Sequence, residues 1–177
     1  MTTTVAIVGD SFAKRLCDTY ENLLLSGTFD YFQIPADRFK IENFGSGGCC
    51  MQGLRGKLPA IMNKNPDYIF MIIGSNDINR FCNVHEIKDQ FINLYRELDE
   101  ICYTIYLSLP ERPREDQYYH KISSSVNKFI AHEIGYERRI NCPRDAHYYH
   151  DDRVHLNDDG NNLVINDFHA KIVELHQ

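Results

Sequence analysis

Three stretches of this chain, residues 5–8, 68–73 and 101–109, are almost unbroken apolar runs. Segments of that length and character must be covered on both faces, which is the situation of inner strands in a parallel sheet. Two further segments read differently. Residues 38–43 set Phe39 and Ile41 against Arg38, Lys40 and Glu42, and residues 136–142 set Tyr136 and Ile140 among charged neighbours. A period of two gives a strand one wet face or an edge position. Three oily strands and two half-polar ones fit a five-stranded parallel sheet ordered 2-1-3-4-5, because that order puts the second and fifth strands at the edges.

Helices are expected between the strands. Phe12, Leu16, Tyr20, Leu23 and Leu24 form one stripe at helical spacing. Val84, Ile87, Phe91, Leu94, Leu98 and Ile101 form another, with Asn83 placed to cap it and Glu86 three residues on. Ile122, Val126, Phe129 and Ile130 make a third. Val164, Phe168, Ile172 and Leu175 make a fourth, preceded by Asn157 as a cap, with Asp158 and Asp159 in its first turn. Residues 110–118, with Pro113 and five charged residues, read as a surface loop after the fourth strand. The expectation is a three-layer, flavodoxin-like α/β fold, with helices on both faces of the sheet.

Composition narrows the function classes. The 177 residues, with no repeat, low-complexity tract or linker, suit one domain spanning 1–177. A formal charge of -6 repels phosphate backbones, so no nucleic-acid partner is expected of this domain. No apolar run approaches the roughly 20 residues that span a bilayer. The opening Met1-Thr2-Thr3-Thr4 lacks the basic region of a signal peptide, and six cysteines without paired spacing suggest reduced thiols; an intracellular, cytoplasmic setting is expected.

Open α/β sheets bind ligands beyond the carboxyl ends of their strands. At those exits stand Gly9-Asp10-Ser11, the stretch Asn43-Phe44-Gly45-Ser46-Gly47-Gly48, Gly74-Ser75-Asn76-Asp77, and finally residues 151–157, which hold Asp152 and His155. The glycine-rich stretch is no dinucleotide fingerprint, since Cys50 stands where the third glycine would be, and there is no phosphate loop. Taken together the four exits supply different parts of one chemistry. A serine at a strand-to-helix turn is exposed and its N–H lies at a helix N-terminus, where negative charge is stabilised. Glycine N–H and asparagine amide groups are neutral donors, histidine can take a hydroxyl proton near neutral pH, and an aspartate three residues earlier can orient its ring. That set serves acyl transfer.

At these residues the sequence resembles the SGNH hydrolase family, also called GDSL-type esterases and lipases, over nearly its whole length. The blocks are Gly9-Asp10-Ser11-Phe12 (family members often carry leucine fourth), Asn43 followed by Gly48, Gly74-x-Asn76-Asp77, and Asp152-x-x-His155 followed by Leu156-Asn157. The resemblance implies Ser11 as nucleophile, His155 as base and Asp152 as its orienting acid. It also implies an oxyanion hole of the Ser11 N–H, the Gly48 N–H and the Asn76 amide, with Gly47 as the alternative to Gly48. Arg153 stands where many members have glycine, which puts the local turn in question. Residues 11–16 and 151–157 also look like an invertebrate subgroup related to esterase domains that accompany some LINE retrotransposons.

The expected function is therefore a serine esterase for short, acetyl-type acyl esters, needing neither cofactor nor metal, with a small-molecule, lipid or sugar ester as substrate. Other readings of the same residues are a catalytically silent binding module of the same fold, a flavin or phosphate binder, and a metal site from His147, His150, Asp151, Asp152 and His155. Cys49 and Cys50 are expected as small walls of the acyl pocket. Phe12, Met51, Ile78 and Phe81 either line an apolar rim or pack inward, and His85, His120, His132, His169 and His176 are expected as surface residues.

Overall fold

The computed structural model describes residues 2–26, 38–79 and 82–175; Phe81 and His176 lie outside the described residues. Strand β1 (Thr3–Gly9) leads into helix α1 (Ser11–Ser26), followed by β2 (Phe39–Gly45), α2 (Met51–Arg55), α3 (Leu58–Asn63) and β3 (Tyr68–Ile72). Then come α4 (Val84–Asp99), β4 (Tyr103–Leu107), α5 (Gln117–Ile134), β5 (Arg139–Ile140) and α6 (Asp158–Leu175). The five strands form one sheet of order β2-β1-β3-β4-β5, and every pairing is parallel. This is the topology expected from the two kinds of strand.

Alternate side chains of the inner strands enter two cores. Val5 and Ile7 of β1, Tyr68, Phe70 and Ile72 of β3, and Ile105 and Leu107 of β4 pack under α1 and α6. Ala6 and Val8, Ile69 and Met71, and Tyr106 face the other way, under α2 to α5. Both faces are thus dry, as their continuous apolar sequences require. The aromatic pair Phe70–Phe168 stacks with centroids 4.5 Å apart and ties α6 to the centre of the sheet. Asn83 caps α4 by accepting from the His85 and Glu86 N–H groups, and Asn157 caps α6 by accepting from the Gly160 N–H at 3.0 Å.

Several expectations need correction. The fifth strand is only Arg139–Ile140; Tyr136–Arg138 form a 3₁₀ turn before it. Helices α2 and α3 had no counterpart in the sequence reading. Residues 110–118 are not simply a surface loop: Arg112 is only 9% exposed, and Tyr118 already belongs to α5. His169 is a core residue, 1% exposed, hydrogen-bonded through Nε2 to the Tyr20 hydroxyl and edge-on to Phe39.

Candidate active site

The first strand ends where backbones crowd. Gly9, at φ +145°, passes so close to β3 that a Cβ would lie 1.7 Å from the Ile72 carbonyl oxygen, so no other residue fits. Asp10 follows, its N–H donating to that same oxygen at 3.1 Å. Its side chain caps α1, Oδ1 accepting from the Phe12 N–H at 2.9 Å. Ser11 is therefore the first residue of a capped helix, half-buried, with its own N–H among the first-turn donors that a helix leaves unpaired internally.

Across the sheet edge, the segment between β5 and α6 carries the other groups. Ser11 Oγ lies 2.9 Å from His155 Nε2, and His155 Nδ1 lies 2.7 Å from Asp152 Oδ2. Asp152 Oδ1 accepts from the backbone N–H groups of Val154 (2.8 Å) and His155 (3.0 Å). Partial burial works to raise the Asp152 carboxyl, but the His155 ring, these two N–H groups and the imidazole charge outweigh it and hold it below the ordinary carboxylate range. An ionised Asp152 can only accept, so in the neutral imidazole Nδ1 carries the proton and Nε2 faces the serine as acceptor. The Phe12 ring, itself buried, lies 5.3 Å from the imidazole and backs it.

Arg153 keeps the turn between Asp152 and His155 by adopting φ +53°, a left-handed conformation that glycine takes without cost. Its N–H donates to the His150 carbonyl at 2.8 Å, and the His150 N–H donates to the His155 carbonyl at 2.9 Å, so the turn is closed on both sides.

The second and third exits meet at the end of β1, where the Ser46 N–H donates to Gly9 O at 3.0 Å and Ser75 Oγ donates to Asp10 Oδ2. The Cys49 N–H donates to Ser46 O at 3.2 Å, closing a turn with Gly47 and Gly48 at its centre; Gly48 has φ +70° and Gly47 is not left-handed. That is the pattern of a type II turn, which calls for glycine at its third position. Both glycines are exposed. Lys57 pins the segment before the turn, donating through Nζ to Phe44 O (3.0 Å) and Ser46 Oγ (2.8 Å). Asn76 Nδ2 donates to Cys49 O at 3.0 Å, which leaves its second amide hydrogen for another acceptor. Asp77 receives the Met51 N–H at 3.2 and 3.3 Å and so caps α2 from outside.

Two residues that sequence reasoning missed also belong here. Arg112 Nη2 donates to Ser75 Oγ (2.7 Å) and to Asn76 Oδ1 (3.1 Å), and Ser75 Oγ donates to Asp10 Oδ2 (2.9 Å). No signal in the charged segment 110–118 separates Arg112 from its solvated neighbours. Lys57 likewise resembles any surface lysine. Met51 packs inward at 1% exposure, and half-buried Ile78 and Cys49 pack against the core under α2 to α5. All six cysteines are free thiols. Among the described residues no three His, Cys, Asp or Glu side chains converge as metal ligands, and no helix is long and apolar enough to cross a membrane.

No family model and no curated protein matches the sequence. Solved structures do. An α/β hydrolase, LAE5, from the metagenome of Lake Arreo, Spain, is 21% identical, with 97% of this chain and 96% of that chain covered at a TM-score of 0.67. The psychrotrophic esterase EstA from Pseudoalteromonas sp. is 17% identical, covering 98% of each chain at a TM-score of 0.65. The acetyl xylan esterase AlAXEase is 18% identical, covering 94% of this chain and 98% of that one at a TM-score of 0.69. The chain has the fold of these hydrolases. At such identities the likeness speaks for the fold alone.

Proposed function

We propose that the chain is a serine esterase of the SGNH type, hydrolysing short acyl esters. The observation that carries this reading is the contact of Ser11 Oγ with His155 Nε2, whose opposite nitrogen meets Asp152. A hydroxyl, an imidazole and a carboxylate so ordered are the parts of a nucleophile, its base and the group orienting that base.

In the first half-reaction Ser11 Oγ attacks the ester carbonyl carbon, and its proton passes to His155 Nε2. The carbonyl oxygen becomes an oxyanion, met by N–H donors from Ser11, Gly48 and the Asn76 amide. The intermediate collapses, the C–O bond to the alcohol breaks, and His155 returns the proton to the departing oxygen. Water then attacks the acyl-serine with His155 again as base, releasing the carboxylic acid and restoring Ser11. Asp152 stays ionised throughout and balances the imidazolium. Gly48 is preferred to Gly47 as donor because only Gly48 occupies the left-handed position of the turn.

Acetyl-type esters are the proposed substrates, since Ser11 and His155 are only half-buried and the glycine turn is exposed. The acyl and alcohol parts thus belong to a small-molecule, sugar or lipid ester, and free thiols suit a reducing compartment. The placement among retrotransposon-associated esterases rests on residues 11–16 and 151–157 alone. The test is hydrolysis of p-nitrophenyl esters of increasing chain length by the wild-type chain and by Ser11→Ala. Acetate and butyrate should be turned over fastest, and Ser11→Ala should be inactive on all. Full activity in that variant would sink the nucleophile; faster turnover of long esters would sink the preference for short ones.

A further inference from the structure

Arg112 is built into the molecule at a cost. It stands at φ +48° although it is not glycine, its Nε is buried with no acceptor, and its guanidinium is withdrawn from water between the Phe12 and Tyr119 rings, 5.6 Å from each centroid. Among the described residues its nearest carboxylate is Glu115, 3.8 Å from Nη1. The tighter contacts run the other way, towards Ser75 Oγ and the side-chain carbonyl of Asn76. Through Ser75 the same guanidinium reaches Asp10, the buried residue that caps the helix of Ser11. One cation thus touches two of the strand exits at once.

We infer that Arg112 is a positioning residue for the oxyanion donor on Asn76. Oδ1 is held by Arg112 and one amide hydrogen is held by Cys49 O, so the amide cannot flip and its second hydrogen has a single direction left. A charge-assisted bond on the carbonyl end also draws density from the amide nitrogen and strengthens the remaining N–H as a donor. The sequence pattern that supplied Asn76 says nothing of this partner, which lies 36 positions away after β4.

The inference rests on the esterase reading, and the experiment separates the two. Turnover of p-nitrophenyl acetate is measured for wild type, Arg112→Met, Asn76→Ala and the double variant, with Ser11→Ala as control. Arg112→Met should lower kcat roughly 10- to 100-fold, the range for losing a hydrogen bond to a charged group, with KM changed less than about twofold. In the Asn76→Ala background the same substitution should cost almost nothing, because the group it positions is gone. Arg112→Lys, which keeps the charge but not the planar fork, should recover part of the loss. Equal factors in both backgrounds, or an unchanged kcat in Arg112→Met, would overturn the positioning role while leaving the esterase intact.

A wild-type chain with no Ser11-dependent hydrolysis would overturn the reading instead. In that case the clamp is judged by the Asn76 side-chain amide resonances in ¹⁵N-labelled protein. They should shift and broaden in Arg112→Met, and unmoved resonances would overturn it. Arg112→Lys serves the same comparison if the methionine variant does not fold.

Discussion

At Gly9 and Gly48 the same residue type is required for two different reasons, and the reasons predict different penalties. A side chain at Gly9 meets the Ile72 backbone, which cannot move without parting β1 from β3. Gly9→Ala should therefore cost at least about 3 kcal/mol of stability, among the large values for single substitutions, read as a fall in the urea midpoint or as insoluble protein. At Gly48 the space is open and only the left-handed backbone opposes a side chain, so Gly48→Ala should cost about 1 kcal/mol. Gly47 has open space and no left-handed φ, so Gly47→Ala should lie within about 0.5 kcal/mol of wild type. Equal penalties at 47 and 48 would show that the turn is not the one described.

At the scale of elements, α2 depends on a residue from another exit. It has five residues, and Cys50 at its N-cap makes no side-chain bond to it. The Asp77 carboxylate does that work from across the site, receiving the Met51 N–H where a helix start also favours negative charge. Asp77→Ala should lose about 1 kcal/mol, as capping residues do, and speed amide hydrogen exchange over residues 49–55; Asp77→Asn, which keeps an acceptor, should lose less. Exchange unchanged in the alanine variant would remove Asp77 from this role.

The same elements show what a sequence can display. Unbroken and alternating apolar runs are direct consequences of lying inside or at the edge of a sheet, so strand order was readable from them. Long helices repeat their burial often enough to leave a stripe, whereas α2 and α3, at five and six residues, complete too few turns. The strand exits were readable as places where particular side chains gather, since topology alone brings those ends together. Arg112 was not, because only its neighbours, Phe12, Ser75, Asn76 and Tyr119, distinguish it from a solvated arginine. His169 does carry a signal in the sequence. It follows Phe168 and precedes Ile172 by three, so it lies on the buried stripe of α6.

That histidine gives the whole molecule a pH dependence of stability. Its ring stacks on Tyr20 of α1 and packs edge-on to Phe39 of β2, joining three parts of the chain distant in sequence. Burial pushes its pKa down to about 4, from the ordinary 6.5 that it regains on unfolding. Between those values the unfolded chain binds a proton that the folded chain refuses. The stabilisation is therefore complete above the upper value and is lost as pH falls towards the lower one. From about pH 7 to about pH 5 the loss from this group alone should be on the order of 2 kcal/mol. Burial acts oppositely on Asp10, Asp77 and Asp167, whose carboxyls are raised, so they bind protons more readily folded and offset part of the loss. Comparing wild type with His169→Gln cancels those contributions, because they are common to both. Urea unfolding at the two pH values should show wild type losing about 2 kcal/mol more than the glutamine variant. Equal losses would mean that the folded core takes up the proton as readily as the unfolded chain, so that burial does not hold the imidazole neutral between α1 and α6.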